Sequence, residues 1–302
     1  MSGDYLLSVL NIALIYSILA VSLNLVIGFA GLLNLGHAAF FAIGAYTSAL
    51  LTLVGIPFGI ALPFAGILAA LFGLLLGATS LKLRGDYLAL ATLGFGEIVR
   101  IVLKNWDGLT RGALGLVHIP RPSFLQFTVK SPFDYFILYF IIALVSFFVM
   151  KKICNSPFGR TLKAIRDDEI AATSLGKNVF RYKVTALFIA AFFAGIAGSM
   201  FAHVITYIEP NSFTFLESTI IVAMVVLGGV ANIKGSVIAA FVLIGFPELF
   251  KFVVQVWIPF PASAQAGIKM LVYGLLIIGA MLYQPEGWGI RKLVRKKSEG
   301  NA

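Results

Sequence analysis

The chain is built from apolar runs long enough to cross a bilayer. About 20 predominantly apolar residues span a hydrocarbon core, and such runs fall at 5–27, 38–54, 58–81, 87–103, 133–150, 182–206, 214–230, 235–256 and 264–284. In hydrocarbon every backbone N–H and C=O must be bonded within the protein, so only helices and closed barrels cross it. Runs of this length specify helices. The expected fold class is all-α: a polytopic helical membrane protein of about 8–10 transmembrane helices, forming a single domain over 1–302. The composition agrees, with only 12% charged residues against roughly 25% in soluble domains. The first run, from Tyr5 to Ile27, follows Asp4 without any Lys or Arg, so it reads as a retained span and not as a cleaved signal.

Charge orients the runs. Eight Lys or Arg lie in 151–183 and five in 291–297, thirteen of the chain's 23. Basic clusters flanking spans mark the cytoplasmic side, which makes 151–183 a cytoplasmic loop and 285–302 a cytoplasmic tail. The net charge of +10 therefore points to a membrane flank, with no nucleic-acid partner. Loops 207–213 and 257–263 then face outward and carry no Lys or Arg. Alternation puts Lys82 and Arg84 inside and 104–132 outside, the latter despite Lys104, Arg111, Arg121 and Lys130.

Two stretches interrupt the pattern. From Gly28 to Gly36 the chain reads GFAGLLNLG, three glycines and Asn34 at membrane depth. Non-helical backbone there must be buried in protein or line a polar cavity, so a broken helix near 28–37 makes Asn34, Gly36 and His37 candidates for a translocation path. The second stretch is Ser156–Lys183. Ser156 followed by Pro157 is a helix-start signal and Gly176 a stop. Between them Leu162, Ile165, Ala172 and Leu175 share one face at helical spacing, with Lys163, Arg166, Asp167 and Asp168 on the rest. A capped helix with an apolar stripe favours docking to a partner over a plain solvated connector; packing back onto the spans is the alternative.

The remaining polar residues read mainly as structure. Glu97 and Arg100, at i and i+3, can pair on one helix face, with substrate contact as the second reading. Glu248 and Lys251 repeat that spacing, and Glu209 and Glu217 flank an outer loop. A histidine metal site would need His37, His118 and His203 to converge, and none is expected. Ser199 and His203 lack an orienting group and an oxyanion hole, which nucleophilic catalysis requires. Cys154, the single cysteine, cannot form an intramolecular disulfide. Gly73 with Gly77, and Ala190 with Ala194 and Gly198, have the four-residue spacing of close helix packing.

SPFGR (156–160), LKAIRD (162–167), Ala171-Ala172 and Leu175-Gly176 resemble the cytoplasmic coupling segment of the branched-chain amino acid ABC transporter permeases of the LivM-like family. Further blocks agree in order: GFAGLLNLGHAAFFAIGAY (28–46), RGDYLALATLGFGEIVRIVLKNW (84–106), TRGALGL (110–116), YKVTALFIAAFFAGIAGSMFAH (182–203) and LGGVANIKGSVIAA (227–240). Two positions depart: the family usually has Thr-Gly-Gly at 110–112 and a Gly-Thr-rich turn with Trp-Gly at 231–235. The resemblance implies a permease of an importer for branched-chain, apolar amino acids in the bacterial inner membrane. Its partners would be two ABC ATPase subunits, a second homologous permease and a periplasmic substrate-binding protein. ATP and Mg would belong to the ATPases, leaving this chain no cofactor and no enzymatic activity; it contains no G-x-x-x-x-G-K-[ST]. Coupling to the ATPases would use Gly159, Arg160, Leu162, Ala164, Ile165, Arg166, Asp167, Leu175 and Gly176. The path would run by Asn34, Gly36, His37, Glu97, Arg100, Gly195 and Gly198. The alternatives are an ion-coupled secondary transporter using Glu97, or a permease for urea and short amides.

Overall fold

The computed structural model describes residues 3–80, 86–124, 127–129 and 131–257, with Gly267, Gly274 and Ile278. The expected run at 264–284 lies, apart from those three positions, outside the described residues, as does the tail at 285–302. A helix occupies each of the other eight runs. They are α1 (Gly3–Asn24, continuing as a π-turn over Leu25–Phe29), α2 (His37–Leu53), α3 (Phe58–Ser80) and α4 (Asp86–Asn105). After the short α5 (Asp107–Thr110) and the two-residue strands β1 (Ser123–Phe124) and β2 (Phe127–Thr128) comes α6 (Pro132–Asn155). The short pair α7 (Pro157–Asp167) and α8 (Glu169–Ser174) leads to α9 (Val179–Ile205), α10 (Phe215–Gly228) and α11 (Ile233–Trp257). By length and composition, five helical stretches among the described residues are sufficient to cross a membrane: Asp4–Phe29, Phe58–Ser80, Pro132–Asn155, Val179–Ile205 and Pro210–Gly228. The chain is a multi-pass helical membrane protein.

The helices divide by what covers them. α1 is the central post, packed by α6, α9, α10 and α11 and buried over nearly its whole apolar length. α3 instead exposes Phe64, Ile67, Leu71, Leu74 and Leu75, and α6 exposes Ile137, Phe140, Ile141, Leu144 and Phe148. These are lipid-facing stripes. α2, α3 and α9 meet along a seam of small residues. A Cβ on Gly44 would collide with the backbone of Gly195, one on Gly198 with the backbone of Phe41 and Ala45, and one on Gly73 with Ala191. Close backbone approach is how membrane helices gain packing energy where the solvent is itself apolar.

The two ends of the bundle differ in charge. One end carries Arg160, Lys163 and Arg166 on α7, Lys177 between α8 and α9, and Arg181 at the start of α9, a basic end of the kind that the charge bias of membrane proteins assigns to the cytoplasm. At the other, an antiparallel bridge joins Leu116 to Ile208, and Ile119 N–H donates to the Thr206 carbonyl at 3.1 Å. The 104–132 segment, for all its cations, is therefore bonded to the 206–213 loop, which carries no Lys or Arg, at the end of the bundle opposite α7 and α8. α4 runs between the ends, with Tyr87 in its first turn and Trp106 just past its last residue both exposed, and the helix between them is about 30 Å long at 1.5 Å rise. Aromatic residues at that separation match the two interfaces of a bilayer.

Candidate functional site

α1 does not end at a cap. Its last turn widens into the π-turn Leu25–Phe29, closed by Ala30 N–H to the Leu25 carbonyl at 3.1 Å. Residues 31–36 are then non-helical, so the break expected at 28–37 is present. π-turns within helices occur frequently at functional sites. This one is held by Asn24, fully buried one residue before it. The Asn24 amide nitrogen donates to Ser236 Oγ at 2.6 Å and lies 3.2 and 3.3 Å from the carbonyls of Asn232 and Gly229. Its oxygen accepts from Ala231 N–H at 2.9 Å. One side chain thus staples the end of α1 to the turn between α10 and α11.

Beyond the break, the chain re-enters the bundle and starts α2 among buried polar groups. The N–H groups of an initial helical turn need outside partners. Gly36 N–H donates to Asn34 Oδ1 at 2.9 Å, Leu35 N–H to Thr92 Oγ1 of α4 at 3.0 Å, and Ala38 N–H to Ser218 Oγ of α10 at 3.0 Å. His37 Nε2 lies 3.0 Å from Ser22 Oγ of α1. Beside the cluster, Tyr16 donates to Glu217 at 2.7 Å. Two buried atoms are left over: Asn34 Nδ2 and His37 Nδ1 have no hydrogen-bond partner among the described residues. Buried polar groups are nearly always bonded, and an unmet one costs about 1–3 kcal/mol. Such groups mark a place where a water or a solute can be received.

The other candidates for the path are not gathered here. Gly195 and Gly198 sit in the closed seam, where a Cβ on Gly195 would meet Ala65, Gly66 and Ala69 and one on Gly198 would meet α2. Backbone fills that space, so their smallness serves packing. Glu97 pairs with Arg100 at 2.8 Å on the partly exposed side of α4, the structural reading of that spacing. Gly96, one residue before Glu97, packs on Gly36. His203 Nδ1 lies 2.7 Å from the Ser199 carbonyl, and Ser199 Oγ lies 2.6 Å from Ser48 Oγ, so that pair is a packing contact. His37, His118 and His203 belong to no metal-sized cluster among the described residues. Glu248 accepts from Tyr5 at 2.5 Å; the side chain of Lys251, its expected partner, lies outside the described residues.

At the basic end, the single helix expected over 156–175 is two. Ser156 Oγ accepts from Gly159 N–H at 3.4 Å with Pro157 at the first position. Asp168 (φ −153°) then ends α7 and caps α8, accepting from Ile170 and Ala171 N–H at 2.9 Å each. Gly176 (φ +76°) follows the last turn of α8 as the left-handed stop. The kink divides the apolar stripe. Leu162 joins the main core, while Ile165 packs with Ala172, Val179 and Tyr182. A Cβ on Gly159 would strike the Cys154 backbone, so α7 crosses directly over the end of α6. Only Leu175 remains outside, 80% exposed, joined by Ile170 at 77%. Arg160, Ala164 and Asp167 of α7 are exposed as well. Arg166 turns to its own chain: Nη1 donates to the Gly28 carbonyl at 2.6 Å and Nη2 pairs with Asp167 at 3.0 Å.

A family model described as branched-chain amino acid transport system / permease component matches residues 5–281. The chain belongs to that family. This permease is 40% identical to the high-affinity branched-chain amino acid transport system permease protein LivM of Escherichia coli, over 92% of this chain and 68% of that one. It is 26% identical to the probable branched-chain amino acid transport permease protein LivM of Methanocaldococcus jannaschii, over 90% of each. It is also 26% identical to the guanosine ABC transporter permease protein NupQ of Bacillus subtilis, over 66% of this chain and 67% of that one. Asn24, Ser22, Thr92 and Ser218 escaped sequence reasoning. Their only signal was a small polar residue within an apolar run, which also describes many helix-packing positions.

Proposed function

We propose that this permease is the membrane half of an ATP-driven importer for branched-chain amino acids in a bacterial inner membrane. It pairs with a second, homologous permease. Two ABC ATPase subunits dock on its cytoplasmic face and hold ATP and Mg. A periplasmic binding protein delivers substrate to the outer face formed by 104–132 and 206–213. The observation that carries the ATP-driven part is the outward face of the α7–α8 pair. Ile170 and Leu175 stand open to water on a helix pair that also exposes Arg160, Asp167 and Lys177, and an apolar anchor on a charged surface is what interfaces use. The path passes the break at Asn34, Gly36 and His37, where the buried Asn34 Nδ2 and His37 Nδ1 lack hydrogen-bond partners among the described residues.

The substrate class follows family membership. An apolar side chain is received by shape, and the few polar groups at the break suffice to address an α-amino acid's charged end. The secondary-transporter reading needs a lone intramembrane carboxylate, and Glu97 is neutralised by Arg100 in its own helix. The test is reconstitution of the permease in liposomes with candidate ATPase subunits, a sister permease and a binding protein. Leucine uptake is expected only with ATP and the full set. Uptake by this chain alone, driven by an ion gradient, overturns the proposal; uptake of guanosine in place of leucine overturns the substrate class.

A further inference from the structure

Two cations of α7, three residues apart, reach two adjacent residues of the broken helix. Arg166 donates to the Gly28 carbonyl at 2.6 Å, and Lys163 Nζ stands 4.7 Å from the centre of the Phe29 ring. The last carbonyls of a helix lack partners in their own ladder, and a cation there is favoured by the helix dipole. Arg166 is thus a C-terminal cap for α1 supplied from 138 residues away. The stem of Arg166 lies where a Cβ on residue 31 would stand, 2.5 Å from Arg166 Cγ, and Gly31 has φ +69°. Only glycine leaves that space and takes that backbone conformation without strain.

From the capped end the contacts continue in two directions. A Cβ on Gly28 would collide with Asn24 Oδ1 and Ala231 N, so the α1 end, the Asn24 staple and the α10–α11 turn pack without slack. In the other direction only six residues separate Ala30 from His37, and Asn34, Leu35 and Ala38 are each bonded to the polar cluster. α7 is itself fixed to α6 at Gly159 and to α9 through the stacked rings of Phe158 and Tyr182, 5.5 Å apart.

We propose that Arg166 is a positioning residue that ties the cytoplasmic helix pair to the broken end of α1. Through this tie, movement of the pair shifts the α10–α11 turn by way of Asn24, and the path residues Asn34–His37 by way of the break. Lys163 on Phe29 is the second strand of the same tie. The inference rests on the docking role proposed for α7–α8, but it assigns Arg166 to a contact inside this chain and not to the ATPase.

The test uses the complete reconstituted importer. Arg166→Ala is expected to recover ATPase subunits within about twofold of the parent while leucine moved per ATP hydrolysed falls about fivefold, within the range reported for residues that couple distant sites. Phe29→Leu, at a side chain buried away from the docking surface, is expected to lower the same ratio about twofold. Loss of the ATPase subunits from Arg166→Ala overturns the inference, because Arg166 would then contact the partner. An unchanged ratio in Arg166→Ala overturns it too. If Arg166→Ala does not accumulate in the membrane, Phe29→Leu decides by its ratio. Failure of the parent complex to couple ATP to uptake would instead overturn the proposed function.

Discussion

The broken end of α1 and the cytoplasmic α7–α8 pair are both polar interruptions of an apolar chain, yet they are built on opposite principles. At the break the polar groups are buried and bonded across the bundle: Asn24 to the α10–α11 turn, Thr92 to Leu35, Ser218 to Ala38. On the helix pair the bonds are mostly local, as in the Asp168 cap and the Arg166–Asp167 pair, and the apolar side chains Ile170 and Leu175 are the ones left in water. Buried polar bonds specify one arrangement of helices because each broken bond leaves a donor stranded. An exposed apolar pair costs the folded chain little and is available to a partner. Long-range polar bonds therefore mark what must stay registered, and exposed apolar residues on a charged surface mark what must be met.

Substitutions in the two regions should separate stability from association. Asn24→Ala strands Ala231 N–H and removes the bond to Ser236, whose hydroxyl keeps its bond to the Asn232 carbonyl, and is expected to lower unfolding free energy by about 2 kcal/mol, read as a fall in the thermal midpoint in detergent. A midpoint unchanged would mean the staple is dispensable and the contrast false. Leu175→Glu is expected to leave that midpoint in place and to weaken ATPase association about tenfold, or about 1.4 kcal/mol, measured by titrating ATPase subunits onto the permease. Adding salt until the Debye length shrinks from about 10 Å to about 3 Å should weaken the same association severalfold, since the helix pair that carries the anchor is charged.

The smallest expected effects concern backbone conformation away from both regions and at their junction. Arg111 and Ala231 adopt φ of 58° and 62°, a region costly for side chains with a Cβ. Both stand where the sequence departs from the pattern of the family. Arg111→Gly and Ala231→Gly are each expected to raise stability by up to about 1 kcal/mol. Ala231→Gly should do so without disturbing its N–H bond to Asn24, so coupling measured as leucine per ATP should hold. A loss of coupling there would show that the strained turn contributes to the motion as well as to the fold.

The apolar runs determined the fold class and the positions of eight described helices, because backbone hydrogen bonding in hydrocarbon admits only helices and closed barrels and runs of about 20 residues fit helices; the glycines and Asn34 of 28–36 marked the break. Local chemistry was equally legible: Ser156 and Pro157 start α7, Gly176 follows α8, and Glu97 finds Arg100 three residues on. What required the tertiary structure was the direction in which each face points. Leu162, Ile165 and Leu175 share a stripe in one ideal helix, but the Asp168 kink turns two inward and one outward. Arg166 looked like a surface cation until the fold carried Gly28 beneath it. Gly195 and Gly198 could have lined a path or closed a seam, and only the approach of α2 and α3 selects the seam. Periodicity and capping act within a few residues and can be read along the chain; which partner lies 138 or 205 residues away depends on the packing of all the helices together.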